Sequence, residues 1–134
     1  MNVVVRFLLD DGSKEVPIAR EVFRQEHVEI SATVLLESAW VLRSIYKVER
    51  EALCAAYVAL LSLDTVLMRD EAAMLRALDA HRAGMDLADA MHLYLPEKAD
   101  EFLTFDRDLE KSARGLADAL PVRIPAPRSQ ERTT

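Results

Sequence analysis

Val28-Glu-Ile-Ser-Ala-Thr-Val-Leu-Leu-Glu-Ser-Ala-Trp-Val-Leu-Arg43 is the stretch of this chain that decides the fold. Its first four residues, Val28 to Ser31, include β-branched side chains and predict a short strand. Ser31 or Thr33 can then cap a helix that continues to about Tyr46. A strand that leads directly into a capped helix is typical of α/β domains.

The same alternation of short strands and helices continues along the chain. Further strands are predicted at Thr65–Met68 and Glu101–Phe105, and further helices at Pro17 to about Glu26, Glu49–Leu63, Asp70 to about His81, Leu87–Leu95 and from Asp106 to about Ala119. This order predicts an α/β fold in which helices flank a mostly parallel sheet. We expect one domain over residues 1–120, followed by an extended or disordered tail over residues 121–134, where prolines and polar residues accumulate.

The first residues allow two interpretations. Asn2-Val-Val-Val-Arg-Phe-Leu-Leu9 is rich in β-branched residues and, by local preference, predicts a strand. The spacing of its apolar residues also allows a helix. Both alternatives stay open on local pattern alone.

Composition limits the classes of function. The 134 residues carry a net charge of −6, which argues against a protein that holds nucleic acid through a large basic surface. Transient contact with RNA through a bound cation remains compatible with this charge. The single cysteine, Cys54, lies in an apolar helical stretch and is predicted to be a core residue. The absence of a signal-peptide pattern and of a long apolar run predicts a cytoplasmic protein with no membrane span.

Four carboxylates lie inside runs that otherwise resemble core: Glu37, Asp86, Asp89 and Asp106. Asp86 and Asp89 are three residues apart and share a helix face, and Asp106 follows a predicted strand. Each has an ordinary explanation, because Asp86 and Asp106 can cap helices and Glu37 can face solvent. If the fold gathers them, their oxygens suit a hard divalent cation such as Mg²⁺ or Mn²⁺.

Three segments in this order resemble the PIN-domain nucleases, and within them the VapC-type toxins of toxin–antitoxin pairs: Ile30–Arg43, Asp86–His92 and Leu103–Asp106. The resemblance implies a three-layer PIN-like domain that acts as an Mg²⁺- or Mn²⁺-dependent endoribonuclease toxin. It implies Glu37, Asp89 and Asp106 as catalytic residues, and these three together with Asp86 as metal ligands. It also suggests Arg6 and Arg43 as contacts to the RNA backbone. The implied partners are an RNA substrate, a cognate antitoxin and a second copy of the chain.

The resemblance has one departure. The family opens with a strand that ends Asp-Thr-Asn, whereas this chain begins Met1-Asn2, so the strand and the acidic ligand have no counterpart in it. Two explanations stay open: the chain lacks its first strand, or the assigned start codon is too late. By the family's pattern, residues from Asn2 to Leu9 are then helical, and this exact chain is expected to be a weak or inactive nuclease. Two alternatives follow from the residues: a non-catalytic PIN-like module that acts by protein contact, and, less well supported, a regulator that accepts a phosphoryl group on an Asp.

Overall fold

The computed structural model describes residues 2–127 of the chain. In these residues the elements are, in order, α1 (Val3–Leu8), α2 (Glu15–Gln25), β1 (Val28–Glu29), α3 (Ala32–Ser44), α4 (Arg50–Leu61), β2 (Val66–Leu67), α5 (Glu71–Arg82), α6 (Leu87–Tyr94), β3 (Phe102–Leu103), α7 (Arg107–Ala113) and β4 (Val122–Arg123). No helix in this range is both long enough and apolar enough to span a membrane. The order of these elements confirms the alternation of strands and helices that the sequence predicted.

The first segment is a helix, so the strand interpretation was wrong and the helix implied by the family resemblance is confirmed. Asn2 caps α1, because its Oδ1 accepts a hydrogen bond from the Val5 amide at 3.1 Å. The Asn2 Nδ2 also donates to Ser38 Oγ on α3 at 2.8 Å, and Val4 and Val5 are buried. Capping and burial against α3 thus override the β preference of three consecutive valines.

The four strands form two separate parallel pairs. β1 pairs with β2, with Val28 opposite Val66, and β3 pairs with β4, with Phe102 opposite Val122. The fold is therefore mixed α/β with parallel strands, as predicted. No strand within residues 2–127 joins the two pairs. Helix packing, rather than one continuous ladder of backbone hydrogen bonds, connects the half of the domain that contains β1 and β2 to the half that contains β3 and β4.

Two hydrophobic cores of unequal size hold these halves. The larger contains twenty buried side chains from the first six helices and from the β1–β2 region. At its centre the fully buried Tyr57 donates its hydroxyl proton to the Leu35 carbonyl oxygen at 2.7 Å. Cys54 is buried in the same core, which confirms its predicted position. Among residues 2–127, the smaller core beside β3 and β4 contains only Leu93, Leu109 and Ala113 as buried residues.

The last predicted helix is too long. α7 ends at Ala113 instead of Ala119, because a turn follows in which the Leu116 amide bonds to the Ala113 carbonyl at 3.1 Å. Asp118 then adopts a left-handed conformation with φ of 63°, which no α-helix can continue through. The chain turns back, and the extended segment predicted after residue 120 begins as β4. The remainder of the predicted tail, residues 128–134, lies outside the described residues, and the domain boundary at 120 stays a prediction.

Candidate active site

The start of α6 carries two of the four predicted carboxylates. Gly84 ends the preceding helix with φ of 126°, a conformation that side chains rarely adopt, and this break sets the start of α6. Asp86 caps the helix, because its Oδ2 accepts from the Asp89 amide at 3.3 Å. Asp86 is exposed and Asp89 is half-buried. The capping explanation for Asp86 is confirmed, and its second carboxylate oxygen makes no hydrogen bond within residues 2–127.

Asp106 lies directly beyond β3. Its Oδ1 accepts from the Leu109 amide at 3.0 Å and so caps α7, while its own amide donates to Thr104 Oγ1 at 3.0 Å. The side chain is exposed, so Asp106 is an N-cap at the carboxyl end of a parallel strand, where α/β folds place ligands.

Asp89 is electrostatically coupled to its acidic neighbours. Burial raises the pKa of the Asp89 carboxyl above its ordinary value, and the negative charges of Asp86 and Asp106 raise it further. His92 opposes this shift weakly. No described residue donates a side-chain hydrogen bond or forms an ion pair with the Asp89 carboxylate. The fold thus brings Asp86 and Asp106 within electrostatic reach of Asp89.

Glu37 lies on the other side of the site. It is exposed on α3, which agrees with the ordinary explanation that Glu37 faces solvent. Both Glu37 and Asp86 line a cavity of about 720 Å³ between α3 and the start of α6. This shared cavity connects Glu37 to Asp86, whereas Asp89 and Asp106 do not line it.

The donor types fit a hard divalent cation, since all four side chains offer carboxylate oxygens. A cation near Asp89 would also relieve the repulsion that raises its pKa. However, no three His, Cys, Asp or Glu side chains within residues 2–127 lie close enough together to enclose an ion. The four-ligand set therefore stays a prediction.

Basic side chains line the same cavity. Arg43 on α3, Arg50 at the start of α4 and His81 near the end of α5 all contribute to its wall. The sequence analysis named Arg43 but missed Arg50 and His81. Arg50 and His81 are far apart in sequence, and only the packing of α4 on α5 brings them together. A histidine on the buried face of a helix is ordinarily a core residue, so no local pattern marks it.

Arg6 does not reach this site as a free cation. It pairs with Asp11, and its Nη1 also contacts Ser13 Oγ at 3.1 Å. Hydrogen bonds from Ser13 and the Arg6 guanidinium lower the pKa of Asp11 to about 2. Because Arg6 is committed to this loop, its suggested contact to an RNA backbone receives no support.

This chain has parallel strands flanked by helices, and it carries carboxylates beyond a strand end and at the start of a helix. It therefore has the features of an α/β domain with an acidic site. Comparison with family models narrows this class, since the PIN domain model matches residues 2–115. The chain belongs to the PIN domain family. Comparisons with curated proteins and with solved structures gave no match.

Proposed function

We propose that this protein is a VapC-type toxin, an Mg²⁺- or Mn²⁺-dependent endoribonuclease that hydrolyses phosphodiester bonds in RNA. Membership of the PIN family supports nuclease activity in general. The observation that carries the proposal is Asp89, a half-buried carboxylate that feels the charges of two other carboxylates and forms no ion pair within the described residues, His92 opposing those charges only weakly. Such an arrangement costs stability, and a bound cation offsets that cost.

In this proposal Asp89 and Asp106 are the principal ligands and Asp86 completes or orients the site. When bound, the cation supplies an activated water and neutralises negative charge that develops on the phosphate. Glu37 lines the cavity opposite Asp86 and is exposed, so it can be a ligand or accept the proton from the attacking water. Asp86 and Asp106 are oriented by the helix-capping hydrogen bonds that their side chains accept, which restricts their rotamers.

The test is cleavage of a mixed-sequence single-stranded RNA in Mn²⁺ by the chain and by Asp89→Asn. Asp79→Asn is the matched control, because Asp79 is exposed on α5 and does not line the cavity. We expect weak cleavage by the chain, since the family's first acidic ligand has no counterpart in it, a further loss of about 100-fold or more in Asp89→Asn, and no change in the control. Equal cleavage by the chain and Asp89→Asn would refute the assignment of the site.

Failure of both proteins to cleave would favour the alternative function, a PIN-like module that acts by protein contact. The observation in its favour is a set of large apolar side chains left exposed, including Ile18 at 64%, Trp40 at 67% and Phe105 at 80%. We propose a cognate antitoxin and a second copy of the chain as the partners of such surfaces. In that case Asp89→Asn leaves the affinity for the partner unchanged.

A further inference from the structure

The cavity beside Glu37 has a second, basic part that the cleavage chemistry does not use. It follows α3, where Glu37 precedes Arg43 by six residues, a rise of about 9 Å along the helix. Trp40 lies between them and is 67% exposed. The α3 wall therefore presents a carboxylate, an open aromatic face and a guanidinium in that order.

Three residues that line this cavity each carry a buried nitrogen atom with no hydrogen-bond partner within the described residues: Arg43 Nη1, Arg50 Nε and His81 Nε2. His81 is the most deeply buried of the three residues, at 4% exposure. Buried polar atoms are normally hydrogen-bonded, so three orphans around one cavity indicate that a polar ligand completes them.

The two arginines are available to an anion. Glu37 and Asp86 line the same cavity, yet neither forms an ion pair with Arg43 or Arg50 among residues 2–127. Arg50 is held close to the helix break, with its Nη1 3.7 Å from the position that a side chain on Gly84 would occupy. Two unpaired guanidinium groups in a concave site are suited to a phosphate group.

His81 provides a different contact. Its Nδ1 donates to the Met85 carbonyl oxygen at 2.7 Å, which leaves Nε2 of the neutral ring as an acceptor. Burial lowers the pKa of His81, and the charges of Arg50 and Arg43 lower it further, so the neutral ring is favoured. An acceptor beside two phosphate-binding groups suits a hydroxyl group on the same ligand.

We propose that this cavity is a ribonucleotide subsite, in which Arg43 and Arg50 bind an RNA phosphate next to the one that is cleaved. His81 Nε2 accepts a hydrogen bond from the ribose 2′-hydroxyl, and the Trp40 ring stacks on a base. The inference rests on the proposed nuclease function for the identity of the strand, and it explains how a chain with net charge −6 holds RNA locally.

The test measures binding without cleavage, using a fluorescein-labelled RNA tetranucleotide in EDTA, followed by anisotropy. Trp40 is the only tryptophan of the chain, so quenching of its fluorescence reports on the same site. We expect Arg50→Gln to weaken binding about tenfold or more, and to reduce the slope of log affinity against log salt by about 0.7. Arg76→Gln is the matched control, since Arg76 is exposed on α5 and outside the cavity.

The 2′-hydroxyl contact has its own readout. The chain should bind the RNA tetranucleotide about three- to tenfold more tightly than the DNA of the same sequence, and His81→Phe should remove this preference. Arg50→Gln should retain the preference while binding both more weakly. Melting temperatures of all variants separate loss of the subsite from loss of the fold. Arg50→Gln removes an orphaned buried donor and should not lower the melting temperature of the free protein, whereas His81→Phe also removes the hydrogen bond to the Met85 carbonyl and should lower it, so binding is compared at a temperature at which every variant is folded.

Unchanged RNA binding in Arg50→Gln would overturn the subsite. Competition by inorganic phosphate at the same concentration as the tetranucleotide would also overturn it, because the cavity would then be a site for free anions. The outcomes also separate the subsite from the proposed cleavage. Asp89→Asn should still bind RNA. If Asp89→Asn loses cleavage while Arg50→Gln still binds RNA normally, the subsite alone is refuted. If RNA binding depends on Arg50 but the chain never cleaves RNA, the nuclease function alone is refuted.

Discussion

The two strand pairs are similar in geometry but pack on hydrophobic cores of very different size. Both are parallel and two residues long on each strand. The β1–β2 pair packs on a core of twenty buried side chains, whereas the β3–β4 pair relies on Leu93, Leu109 and Ala113. Since burial of apolar area is the main stabilising term, the first half should form the stable part of the domain. The half that carries Asp106 is held weakly, so part of the candidate site lies on the less stable half.

The largest loss of stability should come from a truncation in the larger core. Leu35 is fully buried in α3, and its carbonyl accepts the Tyr57 hydroxyl proton. We predict that Leu35→Ala costs about 2–5 kcal/mol of unfolding free energy, because it leaves a cavity in a packed core. Urea denaturation followed by circular dichroism measures this cost. A loss below about 1 kcal/mol would contradict the assignment of this core as the stable half.

A matched truncation in the minor core should have a smaller and more local effect. Leu109 is 5% exposed and packs with few buried neighbours. Leu109→Ala should cost about 2 kcal/mol, at the low end for such changes. Hydrogen exchange should accelerate in residues 102–123 and stay slow in α3 and α4. Uniform acceleration over the whole chain would show that the two halves unfold as one unit.

The next largest loss of stability should come from removing the Asn2 hydrogen bonds that join α1 to α3. The Asn2 side chain accepts from the Val5 amide and donates to the buried Ser38 hydroxyl. Asn2→Ala should cost about 1 kcal/mol, since it removes a helix cap and a hydrogen bond to a buried group. Asn2→Asp is an informative control, because it retains the cap but loses the donor to Ser38. Thermal melts that do not distinguish Asn2→Ala from the unaltered chain would refute this role of Asn2.

The smallest predicted effect is a pH dependence from Asp89. Its folded pKa is raised above the ordinary 3.8, so the folded state binds more protons than the unfolded state just above that value. Stability should therefore decrease as pH rises through this window and remain lower above it. Asp89→Asn should remove this dependence and raise the melting temperature at pH 7. A variant that melts lower than the unaltered chain at pH 7 would mean that the Asp89 carboxylate is stabilising.

The sequence predicted the order of elements because capping residues and breaks are local signals. Ser31, Asp86 and Asp106 cap helices as expected, and Gly84 separates two helices. The strand preference of Val3 to Val5 failed because burial against α3, a long-range contact, decides their conformation.

The site was predictable in part. Asp89 was recognisable from its position near Asp86, but the exposure of Glu37 depends on how α3 packs. The basic part of the cavity could not be predicted, since Arg50 and His81 meet only in the folded chain. Arg6 was misleading for the same reason, because its partner Asp11 lies in a loop whose shape the sequence leaves open.

The proposed nuclease function depends most on a cation site formed by Asp86, Asp89 and Asp106. Calorimetric titration with Mn²⁺ alone, on the chain, Asp89→Asn and the control Asp79→Asn, tests it most directly. We predict saturable binding by the chain and by Asp79→Asn, and binding at least about tenfold weaker in Asp89→Asn. Equal Mn²⁺ affinity in the chain and in Asp89→Asn would contradict the account.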